Sequence, residues 1–387
     1  MSSPSFLMPT YPSPSVTFVR GEASRLWDDE GRSYLDFLSG LGVTSLGHAH
    51  PEVAEAIAAQ ARRLLHVSNL FANQIGPAVA ETIDRLIRPG EGEPAGMVFF
   101  CNSGAEANEC ALKLARKWGG RGRHVVLSAY GSFHGRTLAT LHATGQPAKH
   151  EPFQPLPDGF RHVAFGDAAA LEAAMNPDVA AVILEVIQGE GGVHPLPEGY
   201  LAEVRRLCDE RGALLILDEV QTGLARTGRW FAFQHEAVRP DVVTMAKALG
   251  NGVPIGACWA RQEVASAFVP GDHATTFGGQ PLATAAAQAV LRVMERENLP
   301  QRAASAGDRL ATGLRETDAV EAVRGRGLLL AAELGPGGDA KAAAQRALEA
   351  GLVINAVSET ALRLAPSLLV TADEIDEALS ILAKVLS

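Results

Sequence analysis

Between Met97 and Trp259 the apolar residues fall into short unbroken runs separated by longer amphipathic stretches. The runs are Met97 to Phe100, Val125 to Leu127, Val179 to Leu184, Ala213 to Leu217, Val242 to Met245 and Ile255 to Trp259. None alternates apolar with polar, so each predicts a strand covered on both faces. The stretch after the first run predicts a helix carrying Ala107, Cys110, Ala111, Leu114 and Trp118, and an alanine-rich helix is predicted from about Leu282 to Arg296. Strand and helix in alternation predict an α/β fold: a mostly parallel sheet with helices on both faces, which binds ligands at the carboxyl edge of its strands.

Both ends of the chain follow a different pattern. Val16 to Val19, Arg25 to Trp27 and Tyr34 to Phe37 flank a turn at Asp28 to Gly31 and predict a short antiparallel meander. Glycines 40, 42 and 47 then break the pattern before Pro51, where a helix begins with Val53, Ile57, Ala61, Leu64 and Leu65 on one face. His48 and His50 have no acidic or thiol neighbour in the sequence, so turn and cap roles are expected of them rather than metal binding. After residue 297 the pattern predicts a strand near Arg326 to Leu334, a break at Gly335 to Gly338 and a helix to Ala350. Short strands follow at Leu352 to Asn355 and Ala361 to Leu364, then a final helix with Ile375, Leu379 and Leu382 inward, opened by the capping box Thr371 to Glu374. The expected division is a large domain, 51–297, and a smaller α+β domain, 298–387, packed with the N-terminal segment 1–50.

A chain of 387 residues is long enough for about two domains. Its formal charge of −10 argues against nucleic acid or an anionic membrane as partner and leaves small molecules or protein. Met1 to Ser15 lack a basic head followed by an apolar stretch, so no secretory signal is expected, and no run has the length of a membrane helix. Cys101, Cys110, Cys208 and Cys258 are widely spaced, with no Cys-x-x-Cys, and read as reduced core residues of a cytoplasmic protein.

Chemistry concentrates at the predicted strand ends. Asp218 closes the run Ala213 to Leu217, where an unpaired buried carboxylate would be costly. Lys247 follows the next run and, alone among the six lysines, sits amid apolar and small residues; Lys113, Lys117, Lys149, Lys341 and Lys384 read as solvated. Burial favours the neutral amine and makes Lys247 a candidate nucleophile. Asn102 to Asn108 follows a strand and opens a helix, and Ser103 and Gly104 there suit close approach of an anion. Phe133 to Arg136 offers an aromatic face and a guanidinium fork. Glu190 stands in the glycine-rich loop Gln188 to Gly192, Thr275 and Thr276 offer hydroxyls before a helix, and Arg363 interrupts an apolar strand.

In this order the segments resemble the class III aminotransferases of fold type I, and within them the acetylornithine-type members of arginine biosynthesis, from about Pro14 to the last helix. The resemblance implies pyridoxal 5′-phosphate as cofactor and no metal. It implies that Lys247 holds the cofactor covalently and shuttles the substrate proton, while Asp218 pairs with the pyridine nitrogen. Gln221 would contact the ring hydroxyl, Phe133 would stack on the ring, and Ser103, Gly104, Ala105 and Val220 would complete the cofactor site. Thr276 would reach the phosphate from the neighbouring subunit, so a homodimer with active sites at its interface is expected. Arg136 would hold a distal carboxylate and Arg363 the α-carboxylate of 2-oxoglutarate or glutamate. Glu190 would mask Arg363 when the amine donor is bound, and Thr275 would contact substrate.

The implied reaction is transfer of the δ-amino group of N-acetylornithine to 2-oxoglutarate. Succinylornithine, ornithine, 4-aminobutyrate or a carrier-linked lysine precursor are alternative donors, and a pyridoxal phosphate isomerase or decarboxylase is an alternative class. A nicotinamide-dependent dehydrogenase is disfavoured, because no Gly-x-Gly-x-x-Gly follows the first parallel strand. Val186 stands where the family commonly has proline, Gln280 where asparagine is common, and Ala72 where relatives often carry an aromatic. Leu41 replaces a tyrosine that in ornithine aminotransferases bonds the free α-amino group, which favours an acylated donor.

Overall fold

The computed structural model describes residues 6–88, 90 and 95–387. The chain opens with β1 (Phe18–Glu22), β2 (Arg25–Asp28) and β3 (Ser33–Asp36), an antiparallel meander. The first strand lies two residues later than the apolar run Val16 to Val19 suggests. Helix Pro51–Arg63 buries Val53 and Gln60, whereas Leu64 and Leu65 lie beyond its end and are exposed. The apolar face expected there is therefore shorter, because Leu64 is already extended.

The central sheet has seven strands: β4 (Gly96–Cys101), β5 (Val125–Ala129), β6 (Phe160–Val163), β7 (Val179–Leu184), β10 (Leu214–Asp218), β11 (Val242–Met245) and β12 (Gly256–Arg261). The pair β8 (Ile187–Gln188) and β9 (His194–Pro195) forms a separate ribbon after β7. Strand order is β4-β12-β11-β10-β7-β5-β6, and β12 alone runs against the others. Apolar runs without alternation form here because alternate residues enter two different cores. Ile183, Leu214, Ile216 and Val242 pack with Cys110, Ala111 and Leu114 of helix Gly104–Gly119. Leu184, Leu215, Leu217 and Val243 pack on the other side with Val204, Leu207 and Leu291.

A second sheet near the carboxyl terminus has the order β13-β14-β17-β16, from β13 (Val320–Arg326), β14 (Leu329–Leu334), β16 (Asn355–Ala356) and β17 (Ala361–Leu364). The single strand expected near Arg326 to Leu334 is instead the second arm of a hairpin, turned at Gly327 with φ +57°. The strand expected over Leu352 to Asn355 splits at Ile354. Its first part, β15 (Leu352–Val353), joins the N-terminal meander parallel to β3, and Asn355 passes to the other sheet. Both chain ends are thereby stitched together. Buried Arg226 adds to the join, donating to Ser45 Oγ at 3.0 Å and to the Leu328 carbonyl at 3.1 Å. Helix Ala372–Leu386 is capped by Thr371, whose amide donates to Glu374 at 2.8 Å.

Candidate active site

Strands β10 and β11 are parallel neighbours with Asp218 opposite Thr244, so Asp218 and Lys247 leave adjacent strand ends on the same edge. Asp218 shares the face of Leu214 and Ile216, which points it at helix Gly104–Gly119. Asn108 of that helix donates to Asp218 Oδ2 at 2.7 Å, His134 Nδ1 lies 2.9 Å from the same oxygen, and the Val220 amide donates to Oδ1 at 3.1 Å. Asn108 is held in turn, donating to the His134 carbonyl at 2.7 Å and accepting from Thr244 Oγ1 at 2.7 Å. Three donors thus satisfy the oxygens of a buried carboxylate that would otherwise be costly. The next acid, Glu219, faces the opposite core and accepts from the Phe233 amide at 3.0 Å.

Lys247 begins the short turn Lys247–Gly250 with φ +43°, a left-handed conformation that costs a residue with a Cβ. Burial lowers its ammonium's pKa, with Arg363 adding to the effect and Glu190 and Asp218 opposing it. Among the described residues its ammonium has no hydrogen-bond or ion-pair partner. It faces a cavity of about 390 Å³ lined by Ser103, Gly104, Ala105, Phe133, Arg136, Glu190, Asp218, Val220 and Gln221 as well.

Ser103 caps the helix, its hydroxyl accepting from the Glu106 amide at 3.2 Å, and the first-turn residues Gly104 and Ala105 line the cavity. A Cβ on Gly104 would meet Val220 Cγ1 at 2.7 Å, so the cradle admits glycine there and nothing larger. Across the cavity, the Phe133 amide donates to Glu185 Oε1 at 2.9 Å and the Gly189 amide to Glu185 Oε2 at 3.1 Å. Burial pushes the Glu185 carboxyl up to about 7, with Asp218 adding to the rise and His134 opposing it.

Arg363 on β17 is buried and reaches back to the large sheet's loops. Its Nη1 donates to Glu190 Oε1 at 2.6 Å, to the Gly189 carbonyl at 3.2 Å and to Gln221 Oε1 at 3.2 Å, and its Nε to Asn355 Oδ1 at 3.2 Å. Nη2 of the same guanidinium is buried with no partner. Burial pushes the Glu190 carboxyl up, but Arg363 more than offsets this and holds it below the usual range. Thr275 and Thr276 lie apart, in a separate groove with Asn69, Leu70 and Gly279. His48, expected in a turn, has an acidic partner distant in sequence: its Nε2 lies 2.7 Å from Asp36 Oδ2.

A family model described as aminotransferase class-III matches residues 8–386. The chain belongs to the class III aminotransferases. It is 49% identical to the acetylornithine aminotransferase of Methanopyrus kandleri over 98% of this chain and 96% of that one. It is also 49% identical to that of Corynebacterium efficiens, over 100% and 96%. Among solved structures, the ornithine aminotransferase of Toxoplasma gondii superposes with a TM-score of 0.92 at 34% identity, covering 98% of this chain and 92% of that one. The N-acetylornithine aminotransferase of Stenotrophomonas maltophilia gives 0.83 at 38%, covering 97% and 96%.

With the family comes its cofactor, pyridoxal 5′-phosphate, and the donor set fits that molecule. The glycine cradle at a helix start suits a phosphate, the firmly positioned carboxylate of Asp218 suits a ring nitrogen, and the unpartnered Lys247 suits a covalent tether. Four contributors escaped the sequence reading: Asn108, His134, Thr244 and Glu185. A signal was present for Asn108, a polar residue on the helix face that carries Ala111 and Leu114 into the core.

Proposed function

We propose that the chain transfers the δ-amino group of N-acetyl-L-ornithine to 2-oxoglutarate, giving N-acetyl-L-glutamate 5-semialdehyde and L-glutamate in arginine biosynthesis. The observation that carries this reading is the 2.6 Å pair of Arg363 and Glu190 beside the Lys247 cavity, with Arg363 Nη2 left unmatched. One site must serve a donor that presents a terminal amine and an acceptor that presents an α-carboxylate. A buried arginine with a displaceable acid partner does both: Glu190 masks it for the first substrate and yields it to the second. Arg136, which also lines the cavity, takes the distal carboxylate through its planar fork.

Pyridoxal 5′-phosphate, when bound, supplies the electron sink for the charge left on the substrate carbon. Ser103, Gly104 and Ala105 would hold its phosphate, Val220 and Phe133 would pack against its ring, Gln221 would contact its hydroxyl and Asp218 its ring nitrogen. Lys247 Nζ takes the proton from the amine-bearing carbon, and its depressed basicity keeps it neutral at lower pH than a solvated lysine. In the same reading, residues 51–297 form the cofactor domain, and the small domain, 298–387 with 1–50, brings Arg363 to it.

The reading includes a homodimer in which Thr276 and Thr275 serve the neighbouring subunit's site. Thr276 is exposed, and beside it Leu70, Phe71 and Phe277 are 86%, 71% and 67% exposed, an apolar patch that a partner would cover. A cytoplasmic setting suits the four free cysteines. Among the described residues no helix is long and apolar enough to cross a membrane.

The acylated donor is preferred to ornithine because Leu41 offers no hydrogen-bond acceptor for a free α-amino group. Turnover of amine donors with 2-oxoglutarate tests this. N-acetylornithine should give the highest kcat/KM; an equal or higher value for ornithine or 4-aminobutyrate would overturn the substrate assignment.

A further inference from the structure

Glu185 follows the last residue of β7, Leu184, which pairs with Leu217 of β10, so Glu185 and Asp218 leave neighbouring strand ends together. Glu185 is buried and lines the cavity, yet none of the cofactor or substrate contacts assigned above uses it. Its two oxygens serve two different loops. Oε1 accepts from the amide of Phe133, 52 residues away, and Oε2 from the amide of Gly189, the residue before Glu190. The Gly189 peptide is held from its other side as well: its carbonyl accepts from Arg363 Nη1 at 3.2 Å, and a Cβ on it would lie 1.9 Å from Gln221 Oε1. Gln188 Nε2 donates to the Tyr130 carbonyl at 2.9 Å, and beyond the acid Arg324 Nε donates to the Gly192 carbonyl at 2.8 Å. Glu190 thus projects from a short span fixed at both ends.

A side chain that pairs with Arg363 and then gives it up needs a stationary pivot. If the loop moved as a body, Gly189 would be withdrawn from Arg363 and Gln221 together with Glu190. Arg363 cannot itself supply the fixed point, because it is the group whose partner changes. The bond from the Gly189 amide to Glu185 is independent of that exchange, and its acceptor is anchored in turn on the Phe133 amide. Only a carboxylate suits the position. Both partners are N–H donors, so each oxygen must accept, and a carboxamide would set its own N–H against one of them.

We propose that Glu185 is a positioning residue for the Glu190–Arg363 pair: it ties the Gly189 peptide to the Phe133 loop, so that partner exchange at Arg363 proceeds by rotation of the Glu190 side chain on a stationary backbone. The inference rests on the reading that Glu190 masks Arg363. Its effect on turnover passes through Glu190, which makes the two residues energetically coupled.

The test is a double-mutant cycle of wild type, Glu185→Gln, Glu190→Gln and the double variant. Single-turnover absorbance is recorded with the cofactor saturating and at about pH 8, above the Glu185 pKa of about 7. Glu185→Gln should slow the amine-donor half-reaction roughly 10-fold, the low end for a hydrogen bond to a charged group. In the Glu190→Gln background the same change should cost about 2-fold or less, because the side chain it positions is already lost. Effects that multiply, as a merely structural role would give, or no slowing by Glu185→Gln alone, would overturn the proposal. Glu185→Asp keeps the charge but is too short to reach both amides; it should show the same non-additivity and carries the test if the glutamine variant fails to fold. Glu190→Gln alone reads the masking role, whereas the cycle reads the coupling whichever half-reaction Glu190 serves.

Discussion

His134 Nδ1 lies 2.9 Å from Asp218 Oδ2, with both side chains buried, while the far nitrogen of the same ring has no partner. A ring nitrogen facing a carboxylate acts as donor, which places a proton on Nδ1. Asn108 donates to the same oxygen, and the Val220 amide takes the other. Asp218 is therefore oriented by three groups from its surroundings, which on the proposed reading hold it toward the ring nitrogen of the cofactor.

Asn108→Ala should loosen the cofactor without unfolding the chain. The change removes one hydrogen bond to a charged group, worth about 1.5–3 kcal/mol, so cofactor dissociation should rise roughly 10- to 100-fold. Equilibrium titration followed by absorbance measures it, and unchanged affinity would mean that His134 and Val220 suffice.

Lys247→Ala should lower turnover by more than about a thousandfold, since on the proposed reading both tether and proton carrier are lost. The visible band formed on adding pyridoxal 5′-phosphate to wild type should be removed by borohydride and be absent in the variant. A variant that keeps that band would place the tether elsewhere.

Glu190→Gln should slow the first half-reaction more than the second. Glutamine leaves Arg363 unmasked, so the amine donor competes with its own carboxylate for that guanidinium, whereas 2-oxoglutarate uses it as it stands. Single-turnover absorbance traces of the two halves separate the cases, and equal slowing would count against the masking role.

Glu219→Gln should change stability in a pH-dependent way. Burial holds this carboxyl up at about 7 against an ordinary 4.5. The native protein thus keeps a proton that the unfolded chain releases, and the residue's contribution falls as pH rises from about 4.5 to about 7. Glutamine has no proton to lose. The difference in Tm, variant minus wild type, should therefore move in the variant's favour between about pH 5 and about pH 8. A pH-independent difference would show that Glu219 is ionised throughout.

If the proposed homodimer uses this patch, Phe277→Glu should shift the protein toward monomer and lower activity together. Charge in an apolar contact is expensive, and the ring is 67% exposed in the single chain. Sedimentation velocity and activity over a dilution series should change in parallel. A variant that stays dimeric would place the interface elsewhere.

Fold class was legible because a sheet covered on both faces writes itself as unbroken apolar runs. The hairpin β13–β14 and the split strand at Leu352 to Asn355 were not, since a glycine turn and a change of partner sheet leave the same apolar letters behind. Lys149 was misplaced for a related reason. Its flanking prolines mark a surface segment, and only packing decides that the segment folds over Phe133.

By itself the sequence determined the alternation of strands and helices, the two strand ends that carry Asp218 and Lys247, and the glycine at the helix start. These are local consequences of burial, chain geometry and steric allowance. Tertiary structure decided which acid of the pair Asp218 and Glu219 faces the cavity, because strand parity has meaning only once two cores exist. It also decided what surrounds Asp218: Asn108 and His134 come from two other segments, and a hydrogen bond between distant residues leaves no periodic trace in either one.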